Sequence, residues 1–260
     1  MHPHHSENSF SMPATKFEYR FRFYIHLLVY ALGFFAPWTY LPFWNANLST
    51  QANNEPAWLE LSTLIYRQGW LTYSSAVMVL LVVALVLTAL GAIFRIWGTA
   101  YVGASIVQSQ TMHGTTLLAD GPYRRTRNPL YLGTLLHTIG IALLMPPSGA
   151  IFAIALLWVF QFRLAFAEEG FLAAQFGQPY LDYKTAVPRF LPAPSPAVPS
   201  ANLKPHWLQS VLGEIYFIGA FLTLAIFGWG FDRTLLRQGL LVSLGIAIVI
   251  RAFLPKPAQD

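Results

Sequence analysis

The sequence predicts an all-α, polytopic integral membrane protein of about six transmembrane helices, with a central helical hairpin. Three observations predict this. Of 260 residues, 55% are hydrophobic and only 10% are charged, whereas a soluble domain carries roughly 25% charged residues. The apolar residues fall in runs that approach the roughly 20 helical residues needed to cross a bilayer core. The 16 Lys and Arg residues crowd onto one side once those runs are threaded through a membrane.

The elements follow in order. Residues 1–22 form a polar and aromatic tail without the cleavage pattern of a signal peptide. His2, His4 and His5 read as part of a disordered tail and not as a metal site. The first apolar run is 23–41, ended by Pro37 and Pro42. Residues 45–68 are polar but carry Trp58, Leu59, Leu61, Leu64 and Ile65, which predicts a segment lying along the membrane interface. The second run, 76–94, holds no charge; Arg95 ends it, and Trp97 and Tyr101 follow as interfacial aromatics. A motif-rich stretch covers 101–128. Pro129 suits a first helical turn, where its missing amide hydrogen costs nothing.

The third run is 130–145 and the fourth is 150–166; Pro146-Pro147-Ser148-Gly149 is the turn between them. A tight turn between two short spans predicts an antiparallel hairpin. Residues 168–183 have helical character, and 187–199 read as an extended proline-rich linker. The fifth and sixth runs are 207–229 and 236–253. The organisation is a cytosolic tail (1–22), two helices with an interfacial segment (23–94), a core containing the hairpin (95–192), a Pro-rich linker (193–205) and two C-terminal helices (206–260).

Placing the N-terminus in the cytoplasm puts Lys16, Arg20, Arg22, Arg95, Arg124, Arg125, Arg127, Arg163, Lys184, Arg189, Lys204, Arg251 and Lys256 on the cytoplasmic side. Only Arg67, Arg233 and Arg237 fall outside. The asymmetry predicts cytoplasmic termini and a location in a bacterial inner membrane. Cysteine is absent, which excludes disulfides, thiol catalysis and zinc–cysteine sites. The net charge of +5 fits lipid-headgroup contact better than nucleic-acid binding.

Chemistry concentrates at the open end of the hairpin. The loop before the third run reads Gly121-Pro122-Tyr123-Arg124-Arg125-Thr126-Arg127-Asn128-Pro129-Leu130-Tyr131-Leu132-Gly133, and the fourth run ends in Arg163 and then Glu168-Glu169. The hairpin should set Arg127, Asn128 and Tyr131 beside the two carboxylates, an arrangement suited to a zwitterion and costly without partners. His137 lies mid-span, either making an interhelical hydrogen bond or facing an acceptor pocket. Glu214, two turns into the fifth run, reads as paired near the interface, and His26 as structural. Phe176, Tyr180 and Tyr183 read as packing residues.

This block resembles the signature of the isoprenylcysteine carboxyl methyltransferase and phospholipid methyltransferase superfamily. The second half agrees: Glu168-Glu169-x-x-Leu172, Phe176-Gly177-x-x-Tyr180-x-x-Tyr183 and Val187-Pro188-Arg189-Phe190-x-Pro192. The resemblance covers roughly residues 95–192. It implies a methyltransferase that uses S-adenosyl-L-methionine, binds it in a cytosolic cofactor pocket, and takes a lipophilic acceptor from the membrane lipids. It implies neither a metal nor a nucleic-acid partner.

The resemblance also implies roles. Gln108 corresponds to a cofactor-contacting glutamine, and Thr115, Thr116, Leu117 and Leu118 to a strip whose backbone lines the cofactor. Tyr123, Arg127, Asn128, Pro129, Leu130, Tyr131 and Glu168 complete the implied cofactor site. Arg163 lies near the family's substrate-linked arginine; Glu169 and His137 join it as acceptor-side candidates from their own positions, and no catalytic residue is assigned. Asn128 stands where the eukaryotic carboxyl methyltransferases have histidine; it can hydrogen-bond but not titrate near neutrality, so a binding role survives and a general base does not. Arg163 lies five residues before Glu168, one more than the family's substrate-linked arginine. Two further readings stay open: an NADPH-dependent membrane reductase of related helical fold, and a non-catalytic scaffold or carrier that retains the fold.

Overall fold

The computed structural model describes residues 13–35, 55–103 and 119–253. Gln108 and Thr115 to Leu118 lie outside the described residues, as do the N-terminal histidines and the end of the first apolar run. Ten α-helices and one 3-10 turn are described, and no strand is present among the described residues.

α1 (Lys16–Arg20) opens on a capping box: the Glu18 amide donates to the Thr15 hydroxyl, and the Thr15 amide donates to the Glu18 carboxylate. α2 (Arg22–Phe35) follows at once. α3 (Ala57–Arg67) falls within the predicted interfacial segment. The Ala57 and Trp58 amides donate to the Met145 and Leu143 carbonyls, at 2.7 and 2.9 Å. This docks α3 on the hairpin turn, with Trp58 buried.

α4 (Tyr73–Val102) runs 30 residues from its Thr72 cap to Gly103, whose φ of +94° ends it. A 3-10 turn (Gly121–Arg124) leads to α5 (Pro129–Ala142), which has proline at its first position. α6 (Pro147–Phe176) also starts on proline and extends two to three turns beyond the predicted end of the fourth run. The reason is local: residues 167–176 are mostly good helix formers, and nothing breaks the helix before Gly177, at φ +60°. α7 (Gln178–Ala186) follows.

The predicted fifth span is broken. α8 (Trp207–Gly213) and α9 (Ile215–Gly230) meet at an angle of 64°, with Glu214 at the break. α10 (Arg233–Phe253) closes the described chain. The fold is thus that of a polytopic helical membrane protein. α4, α6 and residues Thr234–Phe253 are each long and apolar enough to cross a membrane, and the bent α8–α9 pair makes a fourth if it is one span. The other two predicted spans appear as apolar helices of 14 residues, α2 and α5.

Small residues set the helix spacing. α4 packs along α5, and the two backbones meet at glycines. A Cβ on Gly91 would lie 2.8 Å from the Gly133 carbonyl oxygen, and a Cβ on Gly133 the same distance from that of Gly91. Gly98 and Gly140, one heptad further along each helix, meet Leu130 on one side and Thr88 with the Ala84 carbonyl on the other. Small-residue seams of this kind let membrane helices approach closely, since lipid supplies no hydrophobic drive between them. α2 meets α6 likewise: a Cβ on Gly149 would overlap the Gly33 carbonyl oxygen.

Gly133→Val should therefore push α5 off α4 and destabilise the protein by about 1–3 kcal/mol. Gly170→Ala, where nothing lies within 4 Å, should leave the detergent melting midpoint unchanged. Equal midpoints for the two variants would refute the seam.

Candidate functional site

A cavity of about 980 Å³ lies among the helices, with walls from α1, α2, α4, both helices of the hairpin, and α7 to α10. Tyr123, Arg127, Asn128, Pro129, Leu130, Tyr131, Glu168 and Glu169 all line it. The hairpin brings them together as its turn at Pro146-Pro147 required.

Glu168 and Glu169 are adjacent within a continuous helix, so their side chains leave it about 100° apart. That rotation gives them separate surroundings. Glu169 is 5% exposed. Asn128 Nδ2 donates to it at 2.9 Å, Arg127 Nη1 at 3.2 Å, and Arg189 Nη2 at 3.0 Å. Asn128 also donates to the Arg189 carbonyl, and the Arg189 guanidinium stacks 4.4 Å from the centre of the Phe166 ring. Glu168 is half-buried and faces phenols instead. The Tyr19 hydroxyl donates to it at 2.8 Å, and Tyr131 lines the same cavity. Burial and the neighbouring Glu168 charge push the Tyr19 phenol well above its ordinary value, so it stays a donor.

The segment after α7 is a strap and not a spacer. The Arg127 amide donates to the Pro188 carbonyl, the Ala193 amide to that of Arg125, and the Ala197 amide to that of Arg124. Thr126 donates to the Arg189 and Phe190 carbonyls. Farther along, Ser200 and the Leu203 amide donate to the Asp120 carboxylate. The Tyr183 hydroxyl donates to the Tyr123 carbonyl at 2.8 Å, joining α7 to the same loop. Tyr180 and Tyr183 are buried packing residues that also reach the cavity wall.

Two predicted acceptor residues fall elsewhere. Arg163 does not line the cavity. It pairs with Glu18 at 2.8 Å, because its place on α6 faces α1. His137 is fully buried between the rings of Tyr216 and Phe217, away from the cavity wall. Neither of its ring nitrogens has a hydrogen-bond partner among the described residues, so the expected interhelical bond is absent there. Its side of α5 faces Gly91 of α4.

Three contributors were not foreseen. Tyr19 carried no sequence signal. Arg189 stood within a quoted motif but without a role. Arg95 grips Glu214 through two hydrogen bonds of 2.8 Å, and Thr99 adds a third at 2.6 Å. Glu214 is thus paired as expected, yet it also lines the cavity. A lone charge in each of two apolar runs was the available signal. No group of three or more His, Asp or Glu side chains suited to a metal occurs among the described residues.

The fold and site define a helical membrane protein whose interhelical cavity has an acidic, aromatic mouth fixed by one hairpin. Known proteins share part of this sequence. Residues 64–179 match the family described as phospholipid methyltransferase. Over 89 residues the chain is 36% identical to protein-S-isoprenylcysteine O-methyltransferase of Mus musculus and to that of Rattus norvegicus, which is 34% of this chain and 31% of each relative. The similarity thus runs from α3 into α7 and includes the hairpin. The chain spans about a third of the length of the curated relatives it matches. No solved structure matches it.

Two outcomes test this geometry. Glu169→Ala leaves two guanidinium groups facing a buried vacancy and should cost about 3 kcal/mol, the usual result of removing one partner of a buried ion pair. Denaturation in detergent measures it, and a loss within 0.5 kcal/mol, roughly that of a surface change, would contradict the network. The second concerns Glu18. Hydrogen bonds from Arg163 lower its carboxyl from 4.5 to about 2, against a smaller opposing effect of burial. A carboxyl lowered on folding stabilises the protein above 4.5, and that contribution drains away as pH falls towards about 2. The melting midpoint should therefore drop more steeply across this window in the parent than in Glu18→Gln.

Proposed function

We propose that this protein transfers a methyl group from S-adenosyl-L-methionine to a lipophilic acceptor held in the membrane. The observation that carries the reading is the cavity: it is at once polar at the hairpin mouth and apolar between α2 and α10. Its volume is near the upper end of the roughly 300–1,000 Å³ of ligand pockets, which leaves space for a cofactor and part of a second molecule.

S-adenosyl-L-methionine supplies a methyl group activated by a cationic sulfur, together with an ammonium, a carboxylate and ribose hydroxyls. The residues present fit those groups. Glu168 offers a carboxylate to the ammonium or the ribose. Tyr131 and Tyr123 offer ring faces that attract a cation, and Arg127 with the loop amides can receive the carboxylate. Gln108 and Thr115 to Leu118 are assigned to the same pocket by the family resemblance.

Methyl transfer is an in-line displacement, so the chain has chiefly to align two bound molecules and exclude water. The rigid hairpin holds Glu168 and Tyr131 in register, while α1 covers them with Tyr19. Asn128 acts by position: its amide is committed to Glu169 and the strap. We place the cavity mouth towards the cytoplasm on the strength of the Lys and Arg asymmetry, and the core that performs the reaction in residues 95–192.

Glu168→Ala should weaken binding of S-adenosylhomocysteine at least about tenfold, the scale of one charge-assisted hydrogen bond, as measured by calorimetry in detergent. Purified protein given labelled S-adenosyl-L-methionine and a total lipid extract should yield a labelled lipid. Thermal protection by NADPH but not by S-adenosylhomocysteine would overturn the proposal in favour of a reductase; protection by neither would favour a scaffold.

A further inference from the structure

The cavity wall changes character with depth. Tyr131 and Glu168 stand at the mouth. Seven residues inward along each hairpin helix come Thr138 on α5 and Gln161 on α6, about 10 Å deeper at 1.5 Å per residue. α2 faces this deep end with His26 and Tyr30, one turn apart on the same side of the helix. His26, Tyr30 and Gln161 all line the cavity.

The hydrogens at this end can be placed. The Thr138 hydroxyl donates its one hydrogen to the Thr134 carbonyl at 2.8 Å, so the Tyr30 hydroxyl is the donor in its own 2.8 Å bond to Thr138. The Arg22 carbonyl can only accept, so His26 Nδ1 carries the ring hydrogen and Nε2 accepts. Gln161 therefore turns its amide nitrogen to His26, at 2.9 Å, and its oxygen away from it. Two acceptors are left over: the lone pairs of the Tyr30 oxygen, and Gln161 Oε1. Gln161 is 1% exposed, and its oxygen has no hydrogen-bond partner among the described residues. A buried carbonyl oxygen without a donor is costly, and polar groups kept inside a membrane mark function more often than architecture.

The group that completes this end has to donate. A carboxylate or phosphate offers only oxygens to oxygens. An ammonium donates but meets cations: Arg22 is one turn from His26 on α2, and Arg95 donates to Thr134, one turn from Thr138. An uncharged hydroxyl satisfies both conditions.

We propose that Gln161 and Tyr30 form a seat for an uncharged hydroxyl carried by the lipophilic acceptor. Resting on the methyl-transfer reading, this makes the acceptor a hydroxylated lipid whose hydroxyl lies about 10 Å below Glu168 and Tyr131. The hydroxyl is an anchor and not the methylated atom, because the His26 Nε2 lone pair that could take its proton is already occupied by the Gln161 amide. Half of the seat comes from α2, which lies outside residues 64–179, so selection among acceptors is shared between the hairpin and a helix beyond the matched segment.

A matched pair of probes tests the seat: para-octylphenol and its methyl ether, para-octylanisole, which differ in the ability to donate. Full-length protein in phosphatidylcholine nanodiscs is melted at increasing mole fractions of each. The phenol should raise the midpoint at roughly tenfold lower mole fraction than the ether. Gln161→Met, which keeps the chain length and removes the oxygen, should abolish the difference while leaving the response to the ether. Tyr30→Phe keeps the ring and should shrink the difference, which preserves the test if the Gln161 variant fails to fold. Equal potency of phenol and ether on the parent leaves water as the occupant and overturns the seat, as does a preference that survives both substitutions. S-adenosylhomocysteine binding on the same samples separates the two readings: binding without phenol preference removes the seat alone, and preference without binding removes methyl transfer alone.

Discussion

The Glu169 carboxylate is the constraint on which the site depends. It is buried, and an ionised group there persists only with full hydrogen bonding. Its donors come from two segments: Arg127 and Asn128 at the end of the loop before α5, and Arg189 in the strap after α7. Satisfying one carboxylate therefore ties both segments to α6. Because Glu169 absorbs those donors, Glu168 on the next position of the helix is left to the cavity and to Tyr19.

A second constraint keeps the cavity from closing. Backbone contact at the Gly91–Gly133 seam draws α4 and α5 together and holds the hairpin rigid. The opposite wall is bent: the α8–α9 break turns the chain by 64° at Glu214, and Arg95 and Thr99 hold that carboxylate through three hydrogen bonds. Both halves of the bent span pack on α4, and α9 carries α10.

The family-matched segment accounts for the hairpin and its acidic pair but not for the whole enclosure. Tyr19, Arg22 and Arg251 lie outside residues 64–179, and each brings a ring or a cation to the cavity. The flanking helices thus shape a pocket whose polar floor comes from the shared core.

Much of the architecture was legible in the sequence, because membrane helices announce themselves through long uncharged runs and because proline and glycine mark their ends. The helical class, the hairpin turn at Pro146-Pro147, the start of α5 at Pro129 and the meeting of Asn128 with the acidic pair all follow from local rules. What depended on which face a residue takes did not. Arg163 and Glu168 share one helix, yet one reaches Glu18 and the other the cavity. His137 read as either bonding to another helix or facing the pocket, and it is enclosed by Tyr216 and Phe217. The linker is a strap, and a uniform apolar run is two helices joined at Glu214. By itself the sequence determined where helices lie and where charge is rare enough to need a partner. Only the tertiary structure decided which partners those charges found, because pairing across a helical bundle is set by rotation and crossing angle, and neither is written in the hydropathy of a single run.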